Sequence, residues 1–195
     1  MEQINIKTRH FDCDENQIRQ ELLDSKIDFS DWGVGSAKSF DHLLQEIVSG
    51  ESSFEVTNSG EVIRKIEVAS AIVWYRSVDG DTYLLSEDRQ VFKDGRERKR
   101  KLPSSISEKI QPDESPDKAI IRGIQEELGI KDEVDLDWDS TTDDVRESES
   151  YPGLKTSYLT YYYEVKLNDQ QFNPQGYIEY QDDKTTYFVW DLIKN

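Results

Sequence analysis

Residues 115–129 are the stretch of this sequence that most restricts its fold. Ser115-Pro116 offers an N-cap followed by proline at the first helical position, where a missing N–H is tolerated. Gly129 supplies the left-handed residue that closes a helix. Between them Ile120, Ile121, Ile124 and Leu128 recur at helical spacing, so this stripe must be covered by a sheet or another helix. With Arg122 at zero and about 100° per residue, Glu126 falls near 40° and Glu127 near 140°. Two neighbouring carboxylates repel unless a cation sits between or beside them. Mg²⁺, or Mn²⁺ in its place, is a natural partner, because hard divalent ions take oxygen ligands together with substrate phosphates. An ordinary solvated helix face carries the same pair, and the pair alone leaves both readings open.

The surroundings of that helix read as strands. Segments 53–57, 62–76, 82–86 and 89–92 precede it, separated by Asn58-Ser59-Gly60, Asp79-Gly80 and the start of a turn that ends at Asp94-Gly95. Segment 134–138 follows, then an acidic loop over 139–149, an aromatic strand over 156–167 and a last strand over 185–192. Alternation along 156–167 puts Tyr161 and Tyr163 on one face and Tyr158 and Tyr162 on the other. One face is expected to pack in the core, and Tyr161 is a candidate for stacking a base. Residues 14–25 and 36–50 read as helices, with Ile18, Leu22 and Leu23 on the first and Phe40, Leu43, Leu44, Ile47 and Val48 on the second. The loop 32–38 between them, rich in small residues, either offers backbone N–H groups to an anion or simply begins the next helix. The expected fold class is α/β or α+β. A small helical N-terminal extension, 1–52, precedes a mixed-sheet domain over 53–195.

Charge narrows the partners. With 24 basic and 41 acidic residues the formal net charge is −17. Such a balance argues against nucleic acid and anionic membranes, both of which select clustered cations. Yet seven of the 24 basic residues fall within 89–101: Arg89, Lys93, Arg96, Arg98, Lys99, Arg100 and Lys101. They form a pocket for a polyanion, with Arg89, Arg96 and Arg98 as substrate-binding candidates, or they answer local acids on an exposed strand edge. One cysteine, Cys13, has no intrachain partner, and with His10 and His42 it makes no His-rich zinc site. No segment has the length of a membrane span or the apolar core of a secretion signal, so a cytoplasmic location is expected.

The wider segment 108–130 resembles the Nudix box, G-x5-E-x7-R-E-U-x-E-E-x-G-U with U aliphatic. Glu114, Arg122, Ile124, Glu126, Glu127, Gly129 and Ile130 match in place, and Leu102-Pro103 is similar to the family's lead-in. Two positions depart: Glu108 stands where the box has its first glycine, and Gly123 where it has the glutamate after arginine. Ser104–Ser107 replaces the Gly-rich loop. The resemblance spans about residues 62–193 and implies an αβα sandwich around a mixed sheet. It implies metal-dependent hydrolysis of a nucleoside diphosphate linked to another moiety, with Glu126 and Glu127 holding Mg²⁺ or Mn²⁺ and Glu114 and Arg122 supporting the box. The general base must then come from elsewhere: Glu147 or Glu149, or Glu179, Asp182 or Asp183. A nucleotide-binding sensor or interaction module without turnover is the alternative, favoured by Gly123 and Glu108. The partner implied is a nucleotide-type small molecule, and the family resemblance makes a homodimer possible.

Overall fold

The computed structural model describes residues 14–99, 102 and 104–193. His10, Cys13, Arg100, Lys101 and Pro103 lie outside the described residues. The fold is α+β. Among the described residues there are three helices, α1 (Glu15–Asp24), α2 (Phe40–Val48) and α3 (Pro116–Leu128). The strands are β1 (Ser53–Val56), β2 (Val62–Arg76), β3 (Thr82–Phe92), β4 (Glu97–Arg98), β5 (Ile106–Lys109), β6 (Asp135–Glu147), β7 (Lys155–Leu167), β8 (Tyr177–Tyr180) and β9 (Lys184–Ile193). They form one sheet in the order β6-β7-β2-β3-β9-β8, with β1 and β5 also pairing β2 and β4 pairing β3.

The chain divides into two compact units. The first comprises Met1–Glu67, Lys109–Asp113 and Thr142–Thr160. Helix α1 begins at Asp14, whose carboxylate accepts the Asn16 N–H. Helix α2 begins at Ser39, where Ser39 and His42 cap each other's backbone. Ile18, Leu22, Trp32, Phe40, Leu43, Phe54, Tyr151 and Leu154 form the core of this unit. Leu23 and Val48, placed on the apolar stripes by their spacing, are instead exposed. The loop 32–38 spends its amides locally: Trp32, Val34 and Ala37 donate to Phe29, Asp31 and Val34, and Lys38 donates to Ser150. At its end Trp32 Nε1 donates to the Pro152 carbonyl at 3.0 Å.

A buried ion cluster ties this unit together. Glu46 accepts from Lys38 Nζ at 2.7 Å and Lys109 Nζ at 2.6 Å, and also pairs with Arg64. Burial opposes ionisation of Glu46, but the hydrogen bonds from Lys109 and Lys38 and the Arg64 charge outweigh it. They hold its carboxyl down at about 2. The Arg64 guanidinium stacks over Tyr151 at 5.0 Å from the ring centre.

The second unit comprises Val68–Glu108, Glu114–Thr141 and Tyr161–Asn195. Its β3 and β9 pair antiparallel from Thr82↔Ile193 to Phe92↔Lys184, with an irregularity between Glu87 and Arg89. The two segments expected at 82–86 and 89–92 are therefore one strand with a bulge. Segment 139–149, expected as an acidic loop, is strand β6 as far as Glu147. Its side chains are nearly all exposed, as suits a strand at the end of the sheet order, where charge opposes further pairing. A strand without a buried face carries no alternation to read. Ser104–Ser107 is likewise more than a loop, since β5 begins at Ile106. Ser105 secures the approach: its hydroxyl donates to Leu85 O at 2.6 Å and accepts from Val73 N at 2.9 Å.

Candidate active site around helix α3

Helix α3 occupies the bounds its sequence predicts, and Gly129 closes it at φ 69°. Ser115 precedes Pro116 without making a side-chain cap. The buried stripe is Ala119, Ile120, Gly123, Ile124 and Leu128, while Ile121 is 39% exposed. On the wheel, Gly123 falls near 100° and Ile120 near 160°, with Glu127 between them at about 140°. Glu127 thus belongs to the covered stripe, whereas Glu126 turns toward Arg122. The structure separates the two carboxylates accordingly. Glu126 is 58% exposed and lies 3.6 Å from Arg122 Nη1. Glu127 is withdrawn from water and hydrogen-bonded to Glu108.

Arg122 organises this face. Its Nε and Nη2 donate to the two oxygens of Glu114 at 3.0 and 3.1 Å, a bidentate pair. Its Nη1 donates to Glu108 Oε2 at 2.6 Å. The Glu114 bond, reinforced by Glu108, raises the guanidinium pKa against the opposing effect of burial. Glu114 and Arg122 therefore stand in the supporting arrangement that the box resemblance implies.

Glu127 sits in the opposite situation. Burial and the charges of Glu108, Glu179 and Glu87 push its carboxyl up to about 9. Burial also raises Glu108, against the Arg122 hydrogen bond. Four elements contribute: α3 carries Glu127, β5 Glu108, β3 Glu87 and β8 Glu179. Glu87 is engaged by Gln90 Nε2 at 3.3 Å. Such a set holds either a proton or a cation. Its all-oxygen donors and surplus negative charge match a hard divalent ion. Among the described residues, no three acidic, histidine or cysteine side chains already stand in a ligating group.

The other sequence-derived candidates are placed as follows. Glu147 Oε1 accepts the Gly153 N–H at 2.9 Å within its own turn, and Glu149 is exposed. Arg89 pairs with Asp88 and, at 3.1 Å, with Glu97, and lies over the Tyr187 ring. Arg96 pairs with Asp94 at 2.7 Å and covers Phe92. A phosphate would have to compete with these acids for either arginine. Arg98 is exposed on β4, and Tyr161 is half-buried on β7. Of the late acidic residues, Glu179 is brought to Glu127. Reasoning from sequence missed Glu87 and read Glu108 only as a departure. The signal for Glu108 was its pairing with Gly123, two deviations of opposite kind in one motif.

No family model matches the chain, and no curated protein matches it in sequence. Solved structures do. One is a C. elegans Ap4A hydrolase, at 14% identity and TM-score 0.38, covering 65% of this chain and 80% of that one. Another is DR0079 from Deinococcus radiodurans, at 17% identity and TM-score 0.37, covering 64% and 65%. A third is the Nudix domain of Shewanella oneidensis NrtR bound to ADP ribose, at 10% identity and TM-score 0.36, covering 65% and 71%. The likeness is one of chain path. What the site does is read from its own side chains.

Proposed function

We propose that this protein is a Nudix-type hydrolase that cleaves a diphosphate joining a nucleoside to another moiety, with a divalent metal held at helix α3. The observation that carries this reading is the company of Glu127: a withdrawn carboxylate touching Glu108 and facing Glu87 and Glu179, with Arg122 locked behind. Burying like charges together is costly, and a fold that needed only packing would fill this stripe with aliphatic side chains. A bound Mg²⁺ or Mn²⁺ would neutralise diphosphate charge and lower the pKa of attacking water. Glu127 is the principal ligand in this reading, and Glu126, on the more exposed side, is the second carboxylate the box offers. Arg122 and Glu114 fix the helix face and the orientation of Glu108. Glu179 is the favoured base among the late acidic residues, because its charge already acts on Glu127. Glu147, by contrast, is engaged by the Gly153 amide. The C. elegans and Shewanella neighbours, by name an Ap4A hydrolase and a domain complexed with ADP ribose, make dinucleoside polyphosphates and ADP-ribose the first substrates to try.

A nucleotide-binding module without turnover is the second reading. The observation favouring it is Gly123, which removes one carboxylate from the helix. Incubating the protein with Mg²⁺ and each nucleotide, followed by product analysis, separates the two. Turnover abolished in Glu127→Gln supports the hydrolase. Calorimetric binding without product supports the module, and turnover unchanged by Glu127→Gln removes the metal role.

A further inference from the structure

We propose that Glu108, reaching in from strand β5, replaces the carboxylate that helix α3 lacks at Gly123 and acts with Glu127 as a ligand of the divalent cation; this rests on the reading of the site above. The two departures from the box are thus one exchange, in which glycine and glutamate have traded places across the contact of β5 with α3.

The geometry points to this through a shared volume. A Cβ built on Gly123 would lie 2.7 Å from Glu108 Cγ, 2.8 Å from Ile106 Cγ2 and 3.5 Å from Glu108 Cδ. The Glu108 side chain therefore occupies the space that a side chain at 123 would need. Glutamates at both positions cannot coexist without a shift, and glycines at both would leave the pocket without either carboxylate. Gly123 and Glu127 are one helical turn apart on the same stripe, so a carboxylate at 123 would neighbour Glu127. Glu108 attains that neighbourhood from the opposing strand, for it is hydrogen-bonded to Glu127. One of its oxygens is held by Arg122 at 2.6 Å, and Arg122 is itself fixed by Glu114. This arrangement orients a carboxylate as a partner beyond the first ligands does in metal centres.

The test is Mn²⁺ binding to the full chain, read by electron paramagnetic resonance, with folding followed by circular dichroism. Wild type is compared with Glu127→Gln, Glu108→Gln, and the exchange variant Glu108→Gly/Gly123→Glu carrying Ile106→Val to relieve crowding. We expect Glu108→Gln to weaken Mn²⁺ at least about tenfold while folded, and the exchange variant to recover most of the affinity. A purely structural partner of Arg122 would lower the melting temperature and leave Mn²⁺ affinity alone; that result overturns the proposal. A wild-type measurement covers variants that fail to fold: on Mg²⁺ titration, the carboxyl ¹³C signals of Glu108 and Glu127 should shift together, and movement of Glu127 alone counts against Glu108. Wild type that binds no Mn²⁺, with or without ADP-ribose, sinks the hydrolase reading as well. Loss in Glu127→Gln but not in Glu108→Gln sinks only this inference.

Discussion

Glu46 in the first unit and Glu127 in the second are both carboxylates withdrawn from water, with surroundings of opposite sign. Glu46 is ringed by Lys38, Arg64 and Lys109 and stays ionised down to about pH 2. Glu127 faces Glu108, Glu179 and Glu87, and its carboxyl is pushed up to about 9. Burial acts alike on both, raising the cost of charge, so the difference comes from the neighbours. The first environment is complete: every charge drawn inward has an opposite within hydrogen-bond reach. The second is complete only when something positive joins it. A satisfied buried pair reads as architecture and an unsatisfied like-charge cluster as a binding place, which is why the functional reading falls on α3 and not on α2.

Substitutions test that contrast. The largest effect is expected at Glu127. Glu127→Gln keeps the shape, removes a ligand, and should lower turnover by roughly 10²–10³-fold, the scale for losing one group that acts on transition-state charge. The same change should leave the urea midpoint equal or higher, because it relieves like-charge crowding. A large loss of stability would erase the distinction between the two glutamates.

Glu46→Gln should do the reverse. It strands Arg64, which is 3% exposed, and should cost on the order of 3–5 kcal/mol in urea unfolding. Wild type and this variant should also differ in acid. The folded value of Glu46, about 2, lies below its ordinary 4.5, so the unfolded chain binds more protons between those limits. Its contribution is therefore full above about pH 4.5 and lost as pH falls toward 2. The stability of Glu46→Gln should be less steep across that window. Parallel profiles would show that the cation ring does not set acid stability.

Gly123→Ala sets helix propensity against crowding. Alanine favours the helix by about 1 kcal/mol, while overpacking against Glu108 and Ile106 costs about 1–3 kcal/mol. A net loss of roughly 1–2 kcal/mol is expected in denaturant titration. Stabilisation instead would mean that Glu108 yields readily and that the shared volume is loose.

The smallest effect belongs to Arg96→Ala. Its pair with Asp94 is exposed, and stability should change by less than about 0.5 kcal/mol. KM for a nucleotide substrate rises only if Arg96 leaves Asp94 for phosphate, so an unchanged KM assigns the arginine to its local acid.

Local chemistry made much of this legible in the sequence. Ser115-Pro116 and Gly129 fixed the limits of α3, the glycine turns placed β1 and β2, and the spacing of Glu114 from Arg122 marked the support of the box. Strand β6 escaped because its exposed side chains carry no alternation. Strand β5 escaped because four residues with two serines look like a loop. The separation of Glu126 from Glu127 was already present in the 100° between them, but which one is covered depends on what lies against the stripe.

The amino-acid order by itself therefore determined where helices begin and end, which residues must be covered, and that two motif positions depart in opposite directions. These are matters of neighbours a few residues apart. Only the tertiary structure decided that Glu108 fills the volume opposite Gly123, that Glu87 and Glu179 face Glu127, and that Glu46 is enclosed by cations. Those facts depend on strands far apart in the chain lying side by side. Electrostatic character follows distance in space, and the sequence alone does not specify that distance.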